Sequence, residues 1–309
     1  GDYNTADMWN NHYVAIKNYN IAIANADNVD ESLKAAAQHL KGIALFCRAS
    51  SYIQLARHFG YVYNPATAAT DPCVPLVTVY DQLKKAERAT VKQVYDQIIA
   101  DLNAAEPLLA SAPGAVRSQL PTVDAVKALK ARYYLDVHEY DLAAESAMDV
   151  IDSEAGYALS SSLEEMNKEF MTDEGNESII RLYATKTEGA VGCTIYTSVQ
   201  STDAEGKFFQ PMFIPSQTLV NAYENSDLRK QVWFPVDMYP VKVQGTLYNG
   251  ITMFTKYIGN PTLQQGNNED GAHFCKPLMI AEMYLIAAEA YAQDGNEADA
   301  KTILNELQS

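Results

Sequence analysis

Lys276-Pro277-Leu278-Met279-Ile280-Ala281-Glu282-Met283-Tyr284-Leu285-Ile286-Ala287-Ala288-Glu289-Ala290-Tyr291-Ala292-Gln293-Asp294-Gly295-Asn296-Glu297-Ala298-Asp299-Ala300-Lys301-Thr302-Ile303-Leu304-Asn305-Glu306-Leu307 is the stretch on which the fold turns. It reads as two helices meeting at Gly295, a residue free to take the positive φ that ends a helix. Ala288 and Ala300 sit where two helices must approach closely, and Tyr284, Tyr291, Ile303 and Leu304 fill the rest of the seam. An ordinary helical hairpin and one unit of a repeat both satisfy this pattern, so the rest of the chain decides between them.

Working back toward the N-terminus, Trp9, Tyr13, Ile16, Asn20 and Ile23 recur at helical spacing and predict a helix over about residues 6–26. Asp30 is placed to cap the next, over about 31–58, whose core face includes Leu33, Ala37, Leu40, Ala44, Phe46, Ala49, Tyr52, Ile53 and Leu55. Gly60 stops it. Residues 61–85 form a long loop punctuated by Pro65, Pro72 and Pro75, and loops of this length inside a compact domain are usually functional. Thr90 and Gln93 have capping-box spacing and open a helix over about 91–110 with Val94, Ile98, Leu102, Ala105 and Leu109 as its stripe. Thr122 caps another, carrying Ala125, Ala128, Ala131, Tyr134 and Leu135, and a further helix runs from Tyr140 to about Ile151.

Measured against the tetratricopeptide pattern, Tyr284, Ala288, Tyr291, Gly295 and Ala300 fall in place. Ala131, Tyr134 and Ala143 match the same positions as Ala288, Tyr291 and Ala300, and Ala49 with Tyr52 begin a third copy whose second helix is displaced by the 61–89 loop. The texture changes between Ser153 and Cys275. A helix is expected at the Ser162-x-x-Glu165 capping box and another near Pro215-Ser216; the remainder is rich in Gly, Asn, Thr and aromatics, with strand-like fragments at 178–184 and 253–258. The expected fold is therefore mainly α: a scaffold of tetratricopeptide-like helical hairpins over 1–152 and 276–309, carrying an irregular, loop-rich segment with short strands over 153–275.

Composition narrows the function. The chain of 309 residues is 48% apolar, which excludes disorder, and its net charge of −16 argues against nucleic acid or an anionic membrane surface as partner. Tyrosine is in excess, 20 against 9 Phe and 2 Trp, and its flat apolar face with a hydroxyl suits wet interfaces and sugar rings. No window is apolar enough for a membrane span; the best, 277–292, contains Glu282 and Glu289. The start at Gly1-Asp2-Tyr3 reads as trimmed or cleaved, so location is not read from it. Cys47, Cys73, Cys193 and Cys275 are scattered, which disfavours a disulfide framework or a zinc site.

Several motifs, in order, resemble the SusD/RagB family of Bacteroidetes nutrient-binding lipoproteins. They are Trp9-x-x-x-Tyr13-x-x-Ile16-x-x-x-Asn20; Arg48-Ala49 with Tyr52, Leu55, Phe59-Gly60 and Val74-Pro75-Leu76; and Arg88-x-Thr90-Val91 with Val94-Tyr95-x-x-Ile98-x-x-Asp101-Leu102. Ala131-Arg132-x-Tyr134-Leu135 with Tyr140-x-x-Ala143, then Tyr223-Glu224-x-x-Asp227-x-Arg229, and Ala281-Glu282-x-Tyr284-Leu285-Ile286-x-Ala288-Glu289-Ala290 after Lys256-Tyr257 complete the set. The resemblance implies a non-enzymatic, lipid-anchored, cell-surface protein of the outer membrane that binds oligosaccharide and delivers it to a SusC-like TonB-dependent transporter. It also implies a lipid-anchored N-terminal tail and more chain after the last hairpin, so the chain is expected to be a small variant or a trimmed piece. A tetratricopeptide-type scaffold for protein or peptide, and a glycosidase built of helical hairpins, are the alternative readings.

No catalytic signature stands out: there is no Gly-x-Ser-x-Gly, His-Glu-x-x-His, phosphate loop or Gly-x-Gly-x-x-Gly, and nothing singles out a carboxylate pair among 39 acidic residues. Asn267-Asn268-Glu269-Asp270 could hold calcium through oxygens, though a polar surface loop is the commoner meaning of such a run. Arg48 and Arg132 are read as ties between hairpins, and Asp227 with Arg229 as a cap or pair at a helix end. The ligand candidates lie in the irregular segment: Tyr196, Phe208, Phe209, Trp233, Tyr239 and Tyr248 as stacking rings, with Asp203, Glu205, Lys207 and Asn249 as polar partners. For each ring, core packing is the competing reading, and Trp233-Phe234-Pro235 suits it best. No cofactor is called for.

Overall fold

The computed structural model describes residues 2–83, 85–187 and 198–308. Its helices are α1 (Asp2–Asn25), α2 (Lys34–Phe59), α3 (Val91–Leu108), α4 (Val123–Asp136), α5 (Tyr140–Ile151), α6 (Leu163–Asn167), α7 (Gln217–Asn221), α8 (Leu228–Trp233), α9 (Ile280–Gln293) and α10 (Glu297–Gln308). The strands are short: β1 (Pro72–Pro75), β2 (Arg88–Thr90), β3 (Ser178–Ile180), β4 (Val199–Thr202), β5 (Gly206–Phe209), β6 (Val241–Val243), β7 (Thr246–Tyr248) and β8 (Leu278–Met279). The chain divides into two compact units, Gly1–Ala155 with Ile280–Ser309, and Gly156–Met279.

The first unit is the hairpin scaffold. α2 packs on α3, α4 on α5, α5 on α9, and α9 on α10. Ala131, Ala143, Ala288 and Ala300 are all buried at these seams, so the absence of larger side chains lets the helices close up. The hairpin turns are built alike. Gly295 adopts φ +82°, and the amides of Gly295 and Asn296 return to the carbonyls of Ala292 and Tyr291, completing a Schellman motif. His138 stands at the same place after α4 with φ +64°, and the amides of His138 and Glu139 return to Leu135 and Tyr134. The repeat thus extends from its alanines to its turn.

Polar ties hold the hairpins in register. Arg48 on α2 meets the buried Asp101 of α3 through two bonds, Nε–Oδ2 at 2.7 Å and Nη2–Oδ1 at 2.6 Å, and donates also to Asn20 Oδ1 of α1 at 2.7 Å. Arg132 on α4 makes the same fork to Glu282 of α9, at 2.7 and 2.6 Å. Thr90 forms its capping box with Gln93, and Thr122 accepts from the amide of Ala125. Asp30 behaves differently from expectation: its side chain caps nothing, because the 3₁₀ turn Glu31–Leu33 starts the helix with a backbone bond from Leu33 to the Asp30 carbonyl.

Among the described residues, the second unit has three small cores and two sheets. β3 pairs antiparallel with β8. β4, β5, β6 and β7 form a four-stranded sheet in that order, in which β5 and β6 run parallel and the other two pairs antiparallel. The turn from β6 to β7 uses Gln244 and Gly245, both at positive φ, the pairing a two-residue hairpin demands. Of the strand expected over 178–184, only β3 is a strand. The stretch over 253–258 is a turn: Tyr257 takes φ +59° and the Ile258 amide returns to Thr255, while Met253 and Thr255 are buried by it. Ser162 caps α6, but Glu165 reaches past it to the Ser161 amide at 2.9 Å, and after five residues the helix loosens into a π-helical turn, Lys168–Thr172.

That π-turn frames a buried charge cluster. Lys276 Nζ lies 3.0 Å from Glu169 Oε1 and 2.8 Å from Asp173 Oδ1, and also donates to the Glu169 carbonyl. Asp173 accepts from Asn260 at 2.8 Å and from the Phe274 amide at 3.1 Å; Glu169 accepts from the Glu177 amide at 3.2 Å and Ser178 Oγ at 3.3 Å. One lysine therefore anchors two acidic side chains in surroundings with almost no water.

Candidate functional site

The sheet of the second unit gathers most of the ring and charge candidates. Along β5 the side chains alternate, so Lys207 and Phe209 share one face while Phe208 takes the other. Phe209 is fully buried with Val199, Val241, Met253 and Ile258. Phe208 is also buried, under Lys242, whose Nζ lies 4.8 Å from the ring centroid and is held at 2.7 Å by Glu205 Oε2. Neither ring offers a face to a ligand. Both belong to the packing of the sheet, one on each face: Phe209 lies in the apolar core and Phe208 is covered on the opposite side by Lys242.

Lys207, Tyr239 and Glu269 form one cluster. Lys207 Nζ lies 2.8 Å from Glu269 Oε2 and 5.6 Å from the Tyr239 ring centroid, and the Tyr239 hydroxyl donates to Glu269 Oε1 at 3.0 Å. Burial alone would raise the Glu269 carboxyl, but the Lys207 and Tyr239 hydrogen bonds hold it below the ordinary carboxylate range. The same bond to Glu269 raises Lys207, and burial followed by that carboxylate raises Tyr239. Glu269 comes from the acidic loop weighed for calcium. Its carboxylate is occupied by Lys207 and Tyr239, and that of Asp270 by the amides of Gln265 and Ala272, so these oxygens tie the loop down.

The remaining candidates separate. Trp233 packs edge-on to Phe170 at 5.2 Å, with Lys256 Nζ 4.3 Å from its ring centroid, and Phe234 beside it is buried; this is core, as Trp-Phe-Pro suggests. Burial lowers Lys256 from its ordinary value. Tyr248 on β7 is 48% exposed, and Asn249 and Asp203 are exposed. Tyr196 lies outside the described residues.

What sequence reasoning misses lies beside Tyr248. Pro211-Met212-Phe213-Ile214-Pro215 carries Phe213 at 62% exposure, and its first four residues, with Val241, Val243, Tyr248 and Ile251, line a cleft of about 180 Å³. A signal for it exists: apolar residues bracketed by two prolines can join neither a helix nor a ladder, so they are presented rather than buried. The rim therefore holds two open rings, Tyr248 and Phe213, at the exposed border of the sheet's core. Such rings can stack on flat apolar faces.

Known proteins share this architecture. Residues 1–135 match the SusD-like family described as starch-binding and associating with the outer membrane. A curated relative, SusD-like protein P2 of Formosa agariphila, is 26% identical over 97% of the chain. A SusD superfamily protein of Bacteroides thetaiotaomicron superposes with a TM-score of 0.78 at 24% identity over 96% of the chain. A putative sugar binding protein of Bacteroides vulgatus gives 0.73 at 26% identity over 97%. The chain spans 61% of the curated relative's length and 64% of each of these two structures. Helical hairpins, ordered motifs and relatives agree: in its N-terminal sequence and in its fold this chain is similar to SusD-like proteins.

Proposed function

We propose that the chain is the glycan-binding component of an outer-membrane nutrient-uptake system, held at the cell surface by a lipid anchor. It binds oligosaccharide without cleaving it and passes it to a TonB-dependent transporter. The observation that carries this reading is the pair of open rings, Tyr248 and Phe213, around one cleft of a SusD-like chain. Asn249, the exposed residue that follows Tyr248, is the polar neighbour assigned to sugar hydroxyls. Transporter docking falls to the hairpin scaffold, where Val14 and Ile21 on α1 stand exposed one heptad apart, as do Leu33 just before α2 and Leu40 on it, which the helical pattern assigns to the core face.

Affinity electrophoresis against plant, host and microbial polysaccharides tests this. Retention by at least one glycan is expected, with no release of reducing ends. Tyr248→Ala and Phe213→Ala should each weaken that retention by about 1–3 kcal/mol and leave the melting temperature nearly unchanged, since both rings are already open to water. Steady hydrolysis by the pure protein, or full retention by both variants, would end the proposal in this form.

A further inference from the structure

The loop after α2 contains a second cleft that neither the hairpin packing nor the sheet site explains. It measures about 590 Å³, within the range of small-molecule sites, and Tyr61, Tyr63, Asn64, Asp71 and His138 supply its chemistry. The far part of this loop is fixed: Tyr13 and Tyr52 on the helices donate to the carbonyls of Pro75 and Val77 at 2.7 and 2.9 Å. The near part presents rings. Tyr63 stands edge-on against Tyr95 at 5.2 Å and against His138 at 6.3 Å; His138 stacks on Tyr140 at 5.8 Å and 13°; and Tyr61 is 61% exposed.

His138 is the telling residue. Its counterpart in the sister hairpin is Gly295, which takes the left-handed conformation without strain, whereas a residue with a Cβ does so at a cost. Backbone strain of this kind is kept where a side chain is needed at that point. Here it delivers an imidazole to the cleft, supported from below by Tyr140. The polar edge is suited to hydroxyls. Asp71 accepts from Thr67 Oγ1 at 2.6 Å and retains further lone pairs, and Asn64 uses its Oδ1 on the Ala66 amide, leaving its NH₂ to donate outward. Rings with open faces beside a carboxylate and an amide match the apolar faces and hydroxyl edges of a pyranose. The net charge of −16 argues against polyanionic glycans.

We propose that this cleft is a second carbohydrate site, for neutral oligosaccharide, carried wholly by the hairpin unit. It rests on the glycan-binding reading above, and the test separates the two. Wild type, Tyr61→Ala, His138→Gly and Tyr248→Ala are compared on every polysaccharide that retains the wild type, with melting temperatures recorded. The expectation is a loss of about tenfold in affinity for both Tyr61→Ala and His138→Gly on at least one glycan. His138→Gly should hold or raise the melting temperature, because glycine relieves the left-handed turn. That split of weaker binding with undiminished stability is one a merely structural histidine does not give. If Tyr61→Ala and His138→Gly bind every glycan like wild type while Tyr248→Ala is impaired, the second site is refuted and the first stands. If wild type is retained by nothing, both readings fall. If the two variants lose only association with a membrane barrel, the cleft is a protein contact and the proposal is wrong.

Discussion

In the hairpin unit Arg48 and Arg132 each meet a single carboxylate as a fork, amid helices whose apolar faces repeat with the helical period. In the second unit Lys276 is divided between Glu169 and Asp173, where the chain around them follows no period at all. Both arrangements bury charge, but they do different work. The forks add register to helices that would pack on their own. The lysine cluster is itself the junction of the π-turn, the β3 approach and the segment entering β8, since its bonds reach residues 169, 173, 177, 178, 260 and 274. A polar centre of this kind supplements the separate small apolar cores found among the described residues of the unit.

The largest effect expected from this contrast follows from removing the lysine. Lys276→Met leaves two carboxylates buried without their cation, which costs about 3–5 kcal/mol. Urea denaturation followed by Trp233 fluorescence in a Trp9→Phe background reads the second unit alone, because Trp233 packs against Phe170 on the same π-turn. A loss below about 1 kcal/mol would falsify the claim that this cluster organises the unit.

The hairpins break in another way. Ala131 and Ala288 hold equivalent places and both are buried, so enlarging either forces helices apart. Ala131→Leu and Ala288→Leu should each destabilise by about 1–3 kcal/mol, and by similar amounts if the two hairpins are true repeats. Thermal melts followed by far-ultraviolet dichroism compare them. Strongly unequal penalties would show that the repeat resides in the sequence spacing and not in the packing.

Legibility in the sequence divides along the same line. Burial on a helix is periodic, so spacing alone matches Ala131, Tyr134 and Ala143 to Ala288, Tyr291 and Ala300, while Arg48 and Arg132 are read as ties from their places in the motifs. Separation in sequence is not the difference, since Arg132 and Glu282 lie 150 residues apart; what the second unit lacks is a repeat register that would link Glu169 to Lys276. The candidate site is legible only in part for the same reason. Composition shows that the irregular segment is rich in aromatic residues, but whether a ring is platform or core depends on strand alternation and turns. Phe208 and Phe209 are covered on opposite faces of β5, by Lys242 and by the sheet's core, whereas Phe213 is held out of regular structure by prolines, which no periodicity reveals. His138 reads in the sequence as one scattered histidine among five, since its conformation at the turn is not a property of composition.

The smallest effect concerns the ion pair of the sheet and bears on whether the second unit's exposed charges matter as its buried ones do. Glu269 is held below its ordinary range, so its contribution is present above its unfolded pKa of about 4.3 and is lost as pH falls through the lower folded value. Lys207 is raised, so its contribution is present below about 10.4 and is lost as pH climbs through the higher folded value. These are two views of one pair, counted once, and with Lys207 a third exposed its worth is under about 1 kcal/mol. Glu177 runs the other way: burial raises its carboxyl, so it favours the folded state more as pH falls. Glu269→Gln should therefore be measured against wild type across pH, where Glu177 is common to both and cancels. The stability gap should be widest between about pH 5 and 10 and close below about pH 4; a gap that persists undiminished at about pH 3 would mean that Glu269 acts through packing and its bond to Tyr239 rather than through charge.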